Sequence, residues 1–304
     1  YNIARSLHES DDEDRSNTEI RMVESFIELY GDSRTWKVGS QIVTWSYMEG
    51  VEVPTDRVNA RDSSYKSTEY EDSKLASTGI LLTQNISESQ FEIMYIPVSQ
   101  QNIAPEFQDY FFTGDDEQID TKTNNGKWAS RLSGTLGNLD MALSYVEGLD
   151  VDPDLTETLD GRAYNRVRSP GLDLQYNFGS FLAKLSAVHY QTEDEDGDDP
   201  LIKNSWTKYA TGVEFTVGGS TVNFYAGQVL IDQFKTDATA QSTNFLLGQI
   251  RERTDFLSGH ITADFLTGNA LNLTLMAAGY WDEDGEPVQT FIKPTITYTM
   301  ADGL

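Results

Sequence analysis

The chain has 304 residues, a formal net charge of −27 and no cysteine. Such an acidic excess repels nucleic acid, so a nucleic-acid partner is not expected. The lack of cysteine excludes disulfides, thiolate metal sites and a cysteine nucleophile. No run approaches the ~18 consecutive apolar residues of a transmembrane helix. A β-barrel, however, shows its apolar surface only at every second position, so low hydropathy does not exclude a membrane protein.

Two-faced segments, about as long as the 9–11 residues of a tilted membrane strand, recur along the chain. The predicted strands are 20–30, 36–45, 77–84, 90–98, 128–136, 139–146, 171–178, 181–191, 206–217, 221–230, 254–265, 270–281 and 288–299. A short helix or a strand continuation is expected near 245–250. Tight turns and long polar connections alternate between the strands, which is typical of outer-membrane barrels.

The acidic residues concentrate in the connections between the predicted strands. The acidic stretches are 9–14, 115–120, 147–160, 193–199 and 282–286. In outer-membrane barrels the short turns face the periplasm and the long loops face outward. We therefore expect these acidic stretches, together with residues 1–17, on the outer side of the membrane.

Strand 271–281 shows the two faces of the predicted sheet most clearly. Leu271, Leu273 and Leu275 alternate with Asn272 and Thr274. Because successive side chains of a strand point to opposite faces, this strand has an apolar and a more polar side. The sequence predicts an all-β fold, an antiparallel transmembrane β-barrel with about 13 strands visible. A soluble sheet with one solvated face is the alternative.

The predicted number of strands is odd, whereas single-chain barrels usually have an even number. We therefore expect residues 1–304 to form a single barrel domain that is truncated at both ends. The whole protein would then have about 16 strands or more.

Charged and polar side chains occupy the face opposite the apolar one and are predicted to line the lumen. These residues are Lys37, Gln41, Glu92, Arg131, Asp140, Asp173, Lys184, Glu214, His260, Asp264 and Lys293. Charges of both signs can pair across neighbouring strands. The pattern favours a hydrated or plugged interior.

Two acidic connections could hold Ca²⁺ or Mg²⁺, since Ca²⁺ takes six to eight oxygen ligands. One contains Asp150, Asp152 and Asp154, and the other contains Asp194, Asp196 and Asp198. Neither matches the full pattern of an EF-hand. A solvated acidic loop is the alternative. Bridging by divalent cations to anionic lipid headgroups is a further possibility.

No arrangement of residues predicts an enzyme. The chain has three histidines, His8, His189 and His260, and no spacing suggests a nucleophile or a phosphate-binding loop. His260 is expected to line the pore rather than to catalyse a reaction.

Three stretches resemble a family of proteobacterial outer-membrane barrels of largely unknown function. They are 36–45 (WKVGSQIVTW), 58–62 (VNARD) and 91–97 (FEIMYIP), and 291–298 followed by Asp302 and Gly303 is similar to a later strand pair. The family pattern reads "LGxQxVxWG", "NPRD" and "WIP"; here Ser46 replaces a glycine and Ala60 stands where proline is common. The resemblance implies a role in envelope transport or in large export systems.

The leading hypothesis is a porin-like channel or transporter for passive solute passage in the bacterial outer membrane. The rival is a plugged docking barrel that serves as the outer-membrane component of an envelope-spanning complex. The expected partners are outer-membrane lipid or lipopolysaccharide and a periplasmic or envelope-complex protein.

Overall fold

The computed structural model describes residues 2–10, 16–49, 53–62, 73–103, 112, 114, 125–236, 238–265 and 271–298. For residues 2–10, 16–22, 238–240, 264 and 265 the backbone alone is described. The described part of the chain contains no helix with the length and apolar character needed to cross a bilayer.

Strands make up nearly all of the regular structure. They are β1 (Asn2–Ser10), β2 (Ser16–Tyr30), β3 (Arg34–Gln41), β4 (Ser77–Ile86), β5 (Ser89–Ile96), β6 (Lys127–Leu136), β7 (Leu139–Leu149), β8 (Asp154–Leu155), β9 (Arg162–Ala163), β10 (Arg166–Asn177), β11 (Phe181–Tyr190), β12 (Trp206–Val217), β13 (Ser220–Ile231), β14 (Arg253–Phe265), β15 (Leu271–Asp282) and β16 (Pro287–Tyr298). One α-helix is found in the described part of the chain, α1 (Ala238–Leu246), between β13 and β14.

One 14-stranded antiparallel sheet contains every strand except β8 and β9, which form a separate pair. Strands that are neighbours in the large sheet also follow one another in the chain, except that β8 and β9 are left out between β7 and β10. In the described part of the chain the two end strands, β1 and β16, each pair on one side only. Short turns join the strands at one end of the sheet, the short-turn end, and longer connections join most of them at the other, the long-connection end. In the turn between β12 and β13, Gly218 and Gly219 both have positive φ (60° and 88°), as a type I′ hairpin turn requires.

All thirteen predicted strands lie in the large sheet, and the additional strand is β1. In this segment Ile3 and Leu7 alternate with Arg5 and Glu9 on one face, so no apolar face is visible in the sequence. The large sheet therefore has fourteen strands in the described part of the chain, where the sequence predicted thirteen. Residues 2–10, which were expected in an outer connection, form β1 instead.

The two faces of the large sheet differ in chemistry, as the alternation predicted. On the outer face, Leu132 of β6, Leu143 of β7 and Leu172 of β10 are aligned by the strand register, and Leu143 is 59% exposed. On the inner face, Asp173 and Ser186 pair between β10 and β11 and are both buried. The sheet is thus apolar where it is exposed and polar where it is covered, the reverse of a soluble protein's usual arrangement.

Residues 42–49 and 53–62, here called the inner segment, cover the inner face. Trp45 and Val58 pack in one cluster with Leu81, Met94 and Ala129 from β4, β5 and β6. Because the same segment also reaches β12, β13 and β14, the sheet curves around it. The alternation of side chains predicts a strand over 36–45 and then one of the long polar connections on the outer side. That prediction is wrong for the inner segment, since β3 ends at Gln41 and the chain then turns inward.

Candidate functional site

The residues predicted to line the lumen share the inner face. The strand register aligns Glu92 with Arg131 and aligns Asp173 with Ser186. The inner-face members of the predicted set are Lys37, Gln41, Glu92, Arg131, Asp140, Asp173, Lys184, Glu214, His260 and Lys293. Asp264 lies in β14, but its side chain is outside the described part of the chain. Their role in a pore remains a prediction.

Several inner-face charges are paired between neighbouring strands. Lys184 Nζ lies 2.6 Å from Glu214 Oε2, and Arg131 Nη1 lies 3.4 Å from Glu92 Oε2. Lys37 Nζ lies 3.6 Å from Glu24 Oε1. Pairing of opposite charges lowers the cost of placing them on a covered face.

Asn59 fastens the base of the inner segment. Its Oδ1 accepts a hydrogen bond of 2.7 Å from the backbone N–H of Val43. Its Nδ2 donates to the carbonyls of Gln41 and Leu75 and lies 3.1 Å from Ser77 Oγ. One buried amide therefore joins the end of β3, the inner segment and the start of β4.

Asp56, Arg61 and Lys74 form a buried ion-pair cluster beside Asn59, here called the clasp. Its Oδ2 lies 2.5 Å from Arg61 Nη2 and 2.8 Å from Lys74 Nζ. Arg61 also donates to Ser73 Oγ, and Lys74 also donates to Thr44 Oγ1. Asn59 and the clasp residue Arg61 both lie within the VNARD stretch. This stretch therefore has a structural role at the base of the inner segment.

The tip of the inner segment docks on the far wall of the sheet. Met48 packs with Ala210, Tyr225 and Phe256, which come from β12, β13 and β14. The backbone N–H of Glu49 donates to the Tyr225 hydroxyl at 3.4 Å. The segment therefore spans the interior from β3 to β14.

Two hydroxyl contacts hold the middle of the inner segment against β10 and β11. Ser46 Oγ donates to Asp173 Oδ1 at 3.0 Å, and Thr55 Oγ1 lies 3.3 Å from Ser186 Oγ. Asp173 thus binds the segment that covers it, which explains the burial of this inner-face carboxylate.

Cations of the interior also stack on aromatic rings. Arg57 Cζ lies 4.5 Å from the ring centroid of Trp206 and 5.1 Å from that of Tyr190. Arg131 Cζ lies 5.2 Å from the ring centroid of Tyr47. Such contacts are attractive because the face of an aromatic ring carries partial negative charge.

The oxygens of the first proposed calcium site converge on a lysine. Lys203 Nζ lies 2.9 Å from Asp150 Oδ2 and 3.6 Å from Asp154 Oδ1. It also donates to the backbone carbonyls of Asp152 and Pro153, at 2.7 and 3.0 Å. An ammonium group occupies the space between these carboxylates, and among the described residues they are not grouped as metal ligands. Calcium at this position stays a prediction.

This lysine and its carboxylates are buried together at the long-connection end. Burial alone would raise the pKa of Asp150, but Lys203 and the Tyr190 hydroxyl outweigh it and hold that pKa below its ordinary value. Burial would lower the pKa of Lys203, but Asp150 and Asp154 raise it instead. Burial raises the pKa of Asp154 despite the nearby ammonium. The cluster is therefore a structural ion-pair network.

The second acidic connection forms a turn. Asp194 accepts hydrogen bonds from the backbone N–H groups of Asp198 and Asp199, at 2.9 and 3.0 Å. Across the described residues, no three His, Asp or Glu side chains are grouped to hold a metal ion. The grouping of Asp194, Asp196 and Asp198 as calcium ligands is not found there.

The two described histidine side chains have different surroundings. His260 is on the inner face, where Thr262 Oγ1 lies 3.2 Å from its Nε2. His189 is on the outer face beside Thr207, with its Nδ1 3.0 Å from Thr207 Oγ1. His189 Nδ1 also lies 4.0 Å from Asp232 Oδ2. The hydroxyl and the carboxylate therefore face the same ring nitrogen and do not form a hydroxyl–histidine–carboxylate relay.

Sequence reasoning missed the residues that shape the interior most, namely Asp56, Asn59, Lys74 and Lys203. The VNARD stretch was noticed only as a resemblance. Lys203 was missed because its partners lie about fifty residues earlier in the chain.

No protein-family model and no curated protein sequence matches this chain. Solved structures do match its fold. The outer membrane channel DcaP of Acinetobacter baumannii is 9% identical, with a TM-score of 0.55, over 96% of this chain and 77% of that one. OccAB4 of Acinetobacter baumannii is 12% identical, with a TM-score of 0.53, over 95% and 68%.

An anion-selective porin from Comamonas acidovorans is 10% identical, with a TM-score of 0.52, over 92% of this chain and 75% of that one. These similarities extend over nearly the whole sheet. The chain therefore has the all-β antiparallel fold of outer-membrane β-barrel porins, and the predicted fold class is confirmed.

Proposed function

We propose that this protein is a channel for passive solute passage across the outer membrane of a Gram-negative bacterium. The observation that carries the proposal is the inner segment, which crosses the interior of a sheet with an apolar outer face. A pore needs polar walls and a narrow region that selects solutes. The inner segment supplies that narrow region, and the paired inner-face charges supply the walls.

The apolar outer face matches the band that a barrel presents to lipid. In this orientation the short turns face the periplasm, and the long connections, with most of the acidic stretches, face outward. Exposed carboxylates would repel anionic headgroups unless divalent cations bridge them. Lipopolysaccharide bridged by Mg²⁺ or Ca²⁺ is therefore the proposed lipid partner.

The selectivity of the proposed pore depends on the charges of the inner face. Lys37, Arg131, Lys184 and Lys293 lie on walls that also carry carboxylates. Rings of charged side chains set ion selectivity in channels. The interior thus combines both signs, although the whole chain has a net charge of −27.

Reconstitution in planar bilayers tests the channel function. The folded protein should give stable ion conductance, and a Tyr47→Ala, Met48→Ala variant should conduct more because the tip of the inner segment is smaller. Met141→Ala, on the exposed outer face, is the matched control and should conduct like the wild type. A folded protein without conductance or solute uptake contradicts the proposal.

A docking barrel is the second candidate, and the packing of the inner segment favours it. Trp45, Met48 and Val58 are all buried, so a large part of the interior is filled. Co-purification from membranes distinguishes the two functions. A stoichiometric envelope protein bound to a non-conducting barrel supports docking, and a conducting barrel that purifies alone supports the channel.

Membership of the family with the LGxQxVxWG, NPRD and WIP pattern is part of this proposal. Its support is that Asn59 and Arg61, from the VNARD stretch, hold the inner segment in place. A role in envelope transport agrees with the channel function.

A further inference from the structure

A pocket of about 450 Å³ lies at the long-connection end, where β12 and β13 meet the loop that carries α1. Trp206, Val229 and Ile231 form the strand side of its wall. The register places these three residues on the inner face, so the pocket lies on the inner side of the sheet. Its volume falls within the range of small-molecule sites, about 300–1,000 Å³.

The opposite wall comes from the end of α1. Phe245 and Leu246 line the pocket there, and the Phe245 side chain is largely exposed. The exposed Phe245 ring offers apolar surface and a ring face. Trp206, whose ring is stacked on Tyr190 and lies 4.5 Å from Arg57 Cζ, adds apolar surface to the wall. Such walls bind apolar bodies and attract cations to the rings.

Buried polar pairs hold the two walls at a fixed separation. The backbone N–H of Asn204 donates to Gln249 Oε1, and Gln249 Nε2 donates to the Asn204 carbonyl, both at 2.8 Å. Gln249 itself lines the pocket. A preorganised site of this kind loses little conformational entropy on binding.

The charges around the pocket favour a cationic ligand. Lys203 lines it, but this ammonium group already contacts two carboxylates and two carbonyls. Asp152 also lines it and is exposed, and within the described residues no cation lies at salt-bridge distance from its carboxylate. Asp152 Oδ1 accepts a hydrogen bond from Asn102 Nδ2 at 2.6 Å, which leaves its second oxygen for a ligand.

A neighbouring recess, which Ile231 also lines, adds negative charge near the pocket. Its lining includes four carboxylates and one guanidinium: Glu195, Asp232, Glu252, Glu283 and Arg253. The Arg253 side chain lies 3.3 Å from Asp255 Oδ2. An approaching amine is therefore attracted, and an approaching carboxylate is repelled.

We infer that this pocket binds small molecules with an aromatic or apolar body and a cationic amine. The inference rests on the proposed function, because a solute entering the channel would meet this pocket at its mouth. The rings of Trp206 and Phe245 contact the body of the ligand, and Asp152 contacts the ammonium group.

Binding is measured by saturation-transfer NMR on the protein in lipid nanodiscs, with empty nanodiscs as the control for partition. Four probes separate the contribution of the aromatic ring from that of the positive charge. They are phenethylamine, 2-phenylethanol, 3-phenylpropionate and ethylamine. Phenethylamine should bind at least about fivefold more tightly than the other three, since an ion pair and a ring contact act together.

Two variants locate the site. Phe245→Ala should weaken phenethylamine and 2-phenylethanol alike, by about fivefold, because both lose the ring contact. Asp152→Asn should weaken phenethylamine alone, by about threefold or more, because the exposed ion pair is lost. Ile250→Ala and Asp196→Asn, which do not line the pocket, are the matched controls and should bind like the wild type.

The binding measurement and the conductance measurement can contradict the pocket and the channel separately. A conducting barrel that binds 3-phenylpropionate as well as phenethylamine, or whose affinity is unchanged in Phe245→Ala, overturns the pocket while the channel stands. A folded barrel that binds phenethylamine as expected but gives no conductance keeps the pocket and contradicts the channel.

Discussion

Lys74 Nζ lies 2.8 Å from Asp56 Oδ2, and the two side chains are only 1% and 3% exposed. Asp56 also binds Arg61, so a single carboxylate faces two cations at the base of the inner segment. Buried pairs of this kind add little net stability, but removal of one partner is costly. The Asp56–Lys74 pair therefore fixes the position at which the inner segment leaves the sheet.

Asp56→Asn should loosen this base, since Lys74 and Arg61 lose the charge that they share. Removing one partner of a buried ion pair costs about 3–5 kcal/mol. We expect faster hydrogen exchange in residues 42–62 and larger, noisier conductance. Asp32→Asn, in the exposed turn between β2 and β3, is the control; equal exchange in both variants would contradict a clasp.

Asn59→Ala should also loosen the inner segment, here through the loss of hydrogen bonds rather than of charge. The change removes the partners of the Val43 N–H and of the carbonyls of Gln41 and Leu75. Each buried group left without a partner costs about 1–3 kcal/mol. Trypsin should then cleave after Arg57 and Arg61 much faster than in the wild type.

Asn85→Ala is the matched control for this digestion, because Asn85 is an exposed amide at the short-turn end. Its tryptic pattern should equal that of the wild type. Resistance of Asn59→Ala to cleavage at both arginines would show that Asn59 does not hold the inner segment.

Lys203→Met should open the long connections at the mouth of the sheet. Lys203 holds the pKa of Asp150 below its ordinary value; without it, burial raises that pKa. Two buried carboxylates then lack a counter-ion at neutral pH, so the connections near Asp150 and Asp154 should exchange their amide hydrogens faster. The defect should shrink as the pH falls, because protonation removes the buried charge.

Two further variants test the cause of that defect. Lys235→Met removes an exposed lysine that pairs with Asp198 and should exchange like the wild type. The triple variant Lys203→Met, Asp150→Asn, Asp154→Asn should regain part of the lost protection. An unchanged defect in the triple variant would mean that the lysine acts by packing rather than by charge.

The sheet and its two faces could be predicted because apolar and polar residues alternate along each strand, and this alternation is visible within the strand's own sequence. The inner segment could not, since its burial depends on partners far away in the chain, such as Asp173 for Ser46 and Tyr225 for Glu49. A polar connection looks the same in sequence whether it is solvated or folded inward. The position of Lys203 among Asp150 and Asp154 was hidden for the same reason.

Leu143→Lys tests whether the outer face contacts lipid. Leu143 is 59% exposed near the middle of β7, between Leu132 and Leu172 on the neighbouring strands. A lysine on the lipid face of a barrel costs about 2–4 kcal/mol at the bilayer midplane. In water the same change at an exposed position costs within about 0.5 kcal/mol.

The matched control is Gln175→Lys on the inner face, where Gln175 donates to Asp140 Oδ2. A lysine there can pair with Asp140, so folding should be close to that of the wild type. Urea titration of folding into liposomes, read by the heat-dependent shift on SDS gels, compares the two variants. Both variants add the same charge to the same pair of strands, on faces that contact different media. Equal stability of Leu143→Lys and Gln175→Lys would favour a solvated sheet and contradict a membrane barrel.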